Sequence, residues 1–258
     1  MAHLAETDRE QALVIVPTYN ERDAIPEAVR RLFDAAGDSV DLLVVDDGSP
    51  DGTAEVVKTL AEGPHEIHLM ERPGKLGLGT AYVQGFRWAL ERGYWAVVEM
   101  DADLSHDPAD VPRLLDALRD ADLVIGSRYV PGGGVGNWGA LRRLLSRAGN
   151  VYAQILLGFG VKDATSGFRA FKAEALRSLD LETLRSEGYG FQIETAWRIH
   201  RASGRIVEVP ITFVERTHGS SKMSSKIILE ALLSVTRWGI AGRMGRWGRS
   251  RSTSGGLR

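Results

Sequence analysis

The sequence predicts an α/β protein built on a mostly parallel, Rossmann-like sheet covered by helices on both faces. Three observations lead there. Short β-branched runs alternate with longer amphipathic stretches, and polar residues gather in the turns that follow those runs. The balance of 43% hydrophobic and 26% charged residues over 258 positions is that of an ordinary globular protein with a sizeable core.

The elements follow in order. Strands are expected at "ALVIV" (12–16), "DLLVVD" (41–46), "EIHLME" (66–71), "WAVVEM" (95–100) and "DLVIGS" (122–127), each leading through a turn into a helix. Asn20 is placed to cap the helix in "AIPEAVRRLFDAAG". Asp51 is placed to cap "TAEVVKTLAEG", which ends at Gly63 and Pro64, and Asp107 to cap "PADVPRLLDAL". After residue 126 the character changes. "RYVPGGGVGNWG" reads as a long glycine-rich loop, either disordered or a functional lid. An arginine- and leucine-rich helix, "ALRRLLSRAGNVYAQILLGFG", comes next, then a loop and strand in "VKDATSGFRAFK" and a helix in "GFQIETAWRIHRASG". A hairpin-like "RIVEVPITFVERTHG" and a last amphipathic helix complete the expected order. Residues 1–10 are expected to be flexible, 11–240 to form a single domain, and 241–258, rich in Gly, Ser and Arg without an acid, to be disordered.

Composition removes several classes of function. A net charge of −2 argues against bulk nucleic-acid binding, and the absence of cysteine excludes disulfides, thiol catalysis and thiolate metal sites. "MAHLAETDREQ" lacks the basic and apolar regions of a secretory signal, so a cytoplasmic location is expected. The longest apolar stretch, "IILEALLSVTRWGIAG", carries Glu230 and Arg237 and falls short of the ~18–20 apolar residues of a spanning helix.

In an open parallel sheet, ligands bind at the carboxyl ends of the strands. Four unusual turns gather on that edge: "PTYNE", "DDGSPDGT", "RPGKLGLGTA" and "DADLSHD". In the last, Asp101 and Asp103 stand one residue apart after an apolar strand. Two adjacent carboxylates repel unless a cation lies between them, and Mg2+ or Mn2+ takes one or two carboxylates together with substrate phosphates. The bland reading of the same turn is helix capping and surface charge. Asp46, Asp47 and Gly48 form a tight turn whose carboxylates can accept from a base or ribose, or can simply lead into the Asp51 cap. "GKLGLGTA" lacks both the Walker and the dinucleotide-fingerprint spacing, so it is weak as a phosphate loop. Arg128, Arg142, Arg143, Arg169, Arg216 and Lys222 lie in or beside the loops of the second half, where guanidinium forks match phosphate oxygens. A rival reading takes "LLVVDDGSPDGTAEVVKTLAEG" for the acid pocket of a response-regulator receiver, a regulatory module without turnover, with Asp101 as phospho-acceptor. The strand and helix that precede it, and the length of the chain, oppose that reading.

Taken together, "VPTYNE", "VVDDGSPDGT", "MDADLSHDP", "GSRYV", "TSGFRAF" and "GSSKM" resemble, in order and spacing, the inverting family-2 glycosyltransferases of GT-A fold. More narrowly they resemble the dolichyl and polyprenyl phosphate mannose synthases of the soluble, actinobacterial kind, over about residues 11–230. The resemblance implies transfer of mannose from GDP-mannose to a polyprenyl phosphate, with a UDP-glucose-dependent polyprenyl phosphate glucosyltransferase as the same-fold alternative. It implies that Pro17, Tyr19 and Glu21 line the nucleotide pocket, with Val45 and Asp47 beside base and ribose. Asp101, Ala102 and Asp103 meet the diphosphate and a Mg2+ or Mn2+ ion, and Ser105 stands where related synthases carry a further glutamine ligand. Arg128, Arg216 and Lys222 match phosphate-contacting positions, Gln192 another donor-site position, and Arg142 and Arg143 the acceptor-phosphate arginines. By this reading the catalytic residues are Asp101, Asp103 and Arg128, and His106 and His218 are structural or substrate-contacting.

A lipid acceptor also suits the last helix, whose apolar face, Trp238 and following arginines fit the surface of an anionic membrane. Packing of that helix on the domain, or docking to a separate integral membrane protein, are the other readings. The expected place of action is the cytoplasmic face of the membrane.

Overall fold

The computed structural model describes residues 9–136, 138–184, 186–214 and 229–241. Residues 1–8, Arg216, His218, Lys222 and the basic tail from 242 onward lie outside the described residues, so the expectations placed on them are not addressed by it.

The five strands read from the first half are all present. In chain order the elements are β1 (Arg9–Thr18), α1 (Ile25–Ala36), β2 (Val40–Asp46), α2 (Thr53–Leu60), β3 (Ile67–Glu71), α3 (Leu78–Glu91), β4 (Tyr94–Glu99), α4 (Val111–Leu118) and β5 (Leu123–Ser127). Then come β6 (Gly134–Val135), α5 (Ala140–Leu157), β7 (Arg169–Lys172), α6 (Ala173–Ser178), α7 (Tyr189–Arg201), β8 (Ile206–Pro210) and β9 (Thr212–Phe213). Residues 229–241 form α8.

The main sheet has seven strands in the order β3-β2-β1-β4-β7-β5-β8, and a second ribbon pairs β6 with β9. Among the described strands only β7 runs against its neighbours, pairing antiparallel with both β4 and β5; the other pairs are parallel. Successive strand residues point to opposite faces, so Val14, Leu42 and Val98 enter one core while Leu13, Ile15, Leu43 and Val97 enter the other. The first core takes Val29 and Leu32 of α1 with Leu114 and Leu118 of α4; the second takes Tyr82 and Phe86 of α3 with Phe191 and Ile199 of α7. Burial on both faces is why the strands read as unbroken apolar runs.

Local chemistry departs from expectation at three places. Asn20 does not cap α1; it adopts a left-handed conformation (φ 59°) and donates its N–H to Ser49 Oγ at 3.0 Å, tying the first turn to the second. The helix begins five residues later, with Pro26 in its first turn and no side-chain cap. The stretch "RIVEVPITFVE" is no hairpin: β8 lies parallel to β5 and β9 parallel to β6, so the chain passes from one sheet to the other at Ile211. The helix after Asp51 stops at Leu60, short of Gly63. Asp51 itself behaves as expected, accepting from the N–H and hydroxyl of Thr53 at 3.0 and 2.6 Å, and Asp107 accepts from Ala109 N–H at 3.1 Å.

The glycine-rich loop is strapped down. Gly134 and Gly136 donate N–H groups to Ile211 and Phe213 carbonyls at 2.9 and 2.7 Å, and Gly133 donates to Val130. Gly133 is pressed against the backbone of Ser127 and Arg128, where a β-carbon would collide with the Ser127 carbonyl. Gly133→Ala is therefore expected to destabilise the fold by roughly 1–3 kcal/mol, as overpacking against unyielding backbone does, read as a lowered thermal midpoint.

Candidate functional site

The carboxyl ends of β1, β2 and β4 and the loop after β5 enclose one cleft of about 490 Å³. Its walls take residues from every turn singled out in the sequence. Pro17, Tyr19 and Glu21 come from the first, Asp47 from the second, Lys75, Gly77 and Leu78 from the third, and Asp101, Ala102 and Asp103 from the fourth. The opposite wall carries Arg128, Trp138, Arg142, Thr165, Tyr189 and Gln192. Acids from the first half thus face arginines from the second.

The nucleotide end is built by mutual bracing. Asp46, almost fully buried, accepts from Thr18 Oγ at 2.8 Å and from both the N–H and hydroxyl of Ser49, which locks the ends of β1 and β2. Asp47 is held by Arg72, whose Nη1 lies 2.8 Å from its Oδ1. Burial pushes the Asp47 carboxyl upward, while Arg72 and the N–H groups of Leu76 and Gly77 pull it back. Position 48 favours glycine on two grounds, its left-handed φ of 69° and the 3.2 Å that would separate a β-carbon there from Gly74 Cα. Lys75 stands 4.7 Å from the centre of the Tyr19 ring, a cation–π contact on the cleft wall. Val45 does not line the cleft; its side chain is fully buried in the core beneath.

At the acid pair the turn is shaped by its own side chains. Asp103 Oδ1 accepts from Ser105 N–H at 2.9 Å, with Leu104 left-handed (φ 61°) between them. His106 is buried, stacked on Phe168, and its Nδ1 accepts from Asp101 N–H at 3.3 Å. With Nδ1 also 3.7 Å from Asp101 Oδ2, His106 is a brace for Asp101. Ser105 is 2% exposed, outside the cleft wall, with its hydroxyl buried and unbonded among the described residues. It meets Asp103 through its backbone, so the expectation of a third ligand hydroxyl is not matched by its position. Among the described residues no group of three or more His, Asp or Glu forms a ready-made metal cage.

The basic wall is more selective than the sequence suggested. Arg128 forms a buried, two-pronged pair with Asp163, Nε–Oδ2 at 2.7 Å and Nη2–Oδ1 at 2.6 Å, and also donates to Thr165 Oγ. That pairing holds its guanidinium firmly protonated, against the pull of burial. Rings of Tyr129, Trp138 and Phe213 surround it at 5.4–5.7 Å. Arg142 lines the cleft with its guanidinium 4.2 Å from the Trp138 ring centre. Arg143 points elsewhere and clasps the Trp138 carbonyl through Nε and Nη2. Arg169 is fully buried under the floor, donating to the carbonyls of Ser166, Ala164 and Gln192. Gln192 reaches the cleft, and its Nε2 donates to the buried Glu99 at 2.9 Å. Burial pushes the Glu99 carboxyl up to about 8, with Arg169 and Gln192 drawing it down.

Comparison with known proteins decides the family. The family model for Glycosyl transferase family 2 matches residues 13–180. The chain belongs to glycosyltransferase family 2. It is 54% identical over 233 residues to the undecaprenyl-phosphate mannosyltransferase of Micrococcus luteus, covering 90% of this chain and 96% of that protein. It is 52% identical over 239 residues to the polyprenol monophosphomannose synthase of Mycolicibacterium smegmatis, covering 92% and 90%. Glucosyl-3-phosphoglycerate synthase from Mycobacterium tuberculosis, in complex with phosphoglyceric acid, superposes on this glycosyltransferase with a TM-score of 0.65 at 23% identity, covering 87% of this chain and 80% of that one. The same enzyme with Mn2+, UDP-glucose and phosphoglyceric acid gives 0.64 at 24%, covering 87% and 79%. These likenesses show the GT-A fold.

Lys75, Trp138, Tyr189 and Asp163 were missed as site residues of the glycosyltransferase. Lys75 sits inside "GKLGLGTA", whose poor match to phosphate-loop spacing hid it. Asp163 carries no motif at all, and only its 2.6–2.9 Å bonds to Arg128 reveal it. Asp163→Ala strands the Arg128 charge, and is expected to cost about 3–5 kcal/mol of stability, measured by urea unfolding.

Proposed function

We propose that this glycosyltransferase moves mannose from GDP-mannose to a polyprenyl phosphate with inversion, releasing GDP at the cytoplasmic face of a membrane. The observation that carries the reading is the cleft itself: Asp101 and Asp103 on one wall, Arg128 and Arg142 on the other. The two mannosyl-transferring relatives, each matched over nine-tenths of this chain, supply the sugar and the lipid acceptor.

Asp101 and Asp103 would hold a divalent cation, Mg2+ or Mn2+, because both carboxylates are hard oxygen donors on the cleft wall. When bound, the ion stabilises negative charge on the departing diphosphate. The chain's own residues do the rest. The bracing of Asp47 by Arg72 sets an acceptor for the nucleoside at the far end of the cleft. Arg128 and Arg142 draw the acceptor phosphate toward the anomeric carbon, overcoming the repulsion between two anionic substrates. A phosphate oxygen then attacks C1 from the side opposite the diphosphate. The C1–O bond breaks, its electrons remain on the diphosphate, and the sugar inverts. The nucleophile is already ionised near neutral pH, so no general base is needed. His106, turned to Asp101 and stacked on Phe168, is accordingly left to structure.

Incubation with labelled GDP-mannose, a polyprenyl phosphate and Mg2+ should yield labelled lipid, and chelation should abolish it; label entering only from UDP-glucose would overturn the donor assignment. Asp103→Ala should lower transfer by roughly 10²–10³-fold or more while the thermal midpoint stays near that of the wild type. Asp103→Asn, which keeps an acceptor for Ser105 N–H, should be equally inactive.

A further inference from the structure

Two residues before Asp101, strand β4 ends on a carboxylate that packing alone does not ask for. Alternation along the strand puts Glu99 on the same face as Val97, toward the second core, and it is fully buried there. Its cross-strand partner on β7 is Arg169, equally buried, which commits its guanidinium to the carbonyls of Ser166, Ala164 and Gln192. The hydrogen bond that Glu99 itself makes is to a side chain: its Oε2 accepts from Gln192 Nε2 at 2.9 Å. A carboxylate costs far more to bury than a leucine of similar size, even with an arginine nearby. Its place under the cleft therefore calls for a task.

That task is the orientation of an amide. Gln192 is only 2% exposed yet reaches the cleft, and with Nε2 held by Glu99 its Oε1 is left buried without a hydrogen-bond donor among the described residues. A second such atom lies close by. Tyr82 of α3 stacks on Phe191, the neighbour of Gln192, at 6.0 Å, and its hydroxyl also reaches the cleft buried and unpartnered among the described residues. Burial and the charges of Asp101, Glu99 and Asp103 push that hydroxyl upward, so it stays protonated. Folded proteins rarely leave buried polar atoms unpaired, and two on one cleft floor mark a place that a ligand completes. Gln192 also stands between the two walls. A β-carbon on Gly167 would touch both its Nε2 and the His106 ring that braces Asp101, while Tyr189, one helical turn earlier on α7, lines the cleft beside Arg128 and Arg142.

We propose that Glu99 is a positioning residue for the donor sugar: by holding the Gln192 nitrogen it aims Oε1 into the cleft, where Oε1 and the Tyr82 hydroxyl bond hydroxyl groups of the hexose being transferred. The inference rests on the proposed reaction, in which the hexose lies between the departing diphosphate at Asp101 and Asp103 and the attacking phosphate at Arg128 and Arg142. Gln192 Oε1 can only accept, so it pairs with a sugar O–H; the Tyr82 hydroxyl can give or receive. A floor built in this way rejects a sugar that lacks the matching hydroxyl, because its own buried atoms would then stay unpaired. The nucleoside is held elsewhere, at the Asp47 and Arg72 end. Loss of the floor should therefore be felt by the sugar and not by GDP.

The test is calorimetric titration of the full chain with GDP-mannose and with GDP, both with Mg2+, beside KM and kcat for transfer. Glu99→Leu should weaken GDP-mannose by about tenfold or more, through the unaimed Gln192 amide. Its affinity for GDP should stay within about twofold of wild type, since the nucleoside site is remote from the change. Glu99→Gln, whose carbonyl can still accept from Gln192, should bring GDP-mannose back to within about threefold of wild type. Should Glu99→Leu fail to fold, Gln192→Leu and Tyr82→Phe carry the same comparison of GDP-mannose against GDP. In a series of monodeoxy GDP-mannoses, one should bind Gln192→Leu as well as it binds wild type, which identifies the hydroxyl that Oε1 accepts from. Equal losses of GDP and GDP-mannose would make Glu99 a residue of the fold alone and overturn the inference, as would undiminished GDP-mannose binding in all the variants. Transfer by wild type from UDP-glucose only would count against the proposed donor instead, and UDP-glucose against UDP would then read the same floor with the same two outcomes.

Discussion

The ion pair between Arg128 and Asp163 is the constraint on which the cleft depends. Both side chains are almost wholly withdrawn from water, so each must be satisfied by the other. Asp163 meets Arg128 at three nitrogens, counting the backbone N–H, and the N–H groups of Lys162 and Asp163 are in turn gripped by Glu208 of β8. Thr165, bonded to Arg128, is also reached by Asn150 of α5. One pair therefore ties together the end of β5, the loop before β7, the edge strand β8 and helix α5. It also places a guanidinium on the cleft wall without leaving it mobile, which spares the enzyme the ordering of a long side chain on substrate binding.

The first half of the molecule was legible because strand, turn and helix each leave a local signature. Alternating β-branched runs marked β1 to β5, and the polar turns after them marked Pro17, Tyr19, Asp47, Asp101 and Asp103 as cleft residues. The second half was harder. Arginine has the same letter whether it lines a cleft, as Arg142 does, or holds a carbonyl, as Arg143 does one position later. A helix turns about 100° between neighbours, and only the fold decides which of the two faces inward. The hairpin reading of "RIVEVPITFVE" failed for a related reason: strand partners far away in sequence, β5 and β6, win over the neighbour joined by a short link. The Val45 side chain is turned from the cleft because successive strand residues face opposite sides of the sheet, and this one enters the second core.

Buried polar chemistry lies beneath the visible site. Glu99, Gln192 and Arg169 form a network under the acid pair, and burial, aided by the nearby charge of Asp101, raises the Glu99 carboxyl. Such a floor fixes the Gln192 amide, because Glu99 accepts from its nitrogen and thereby turns its oxygen the other way. The cleft is in this sense built from below: the fully buried Glu99 and Arg169 position Gln192, which reaches its wall.

The single reversed strand has a consequence for how the chain acquires its shape. β5 gains no sheet neighbour from any strand made before it, since β4 on one side of the gap and β5 on the other are joined only when β7 slots between them. About forty residues, including all of α5, must be in place before that strand is made, which raises contact order and slows closure. Strands β1 to β4 pair among themselves, and without β7 the strand β4 would be a bare edge. The arginine wall thus rests on strand pairings more distant in sequence than those that hold the acid wall.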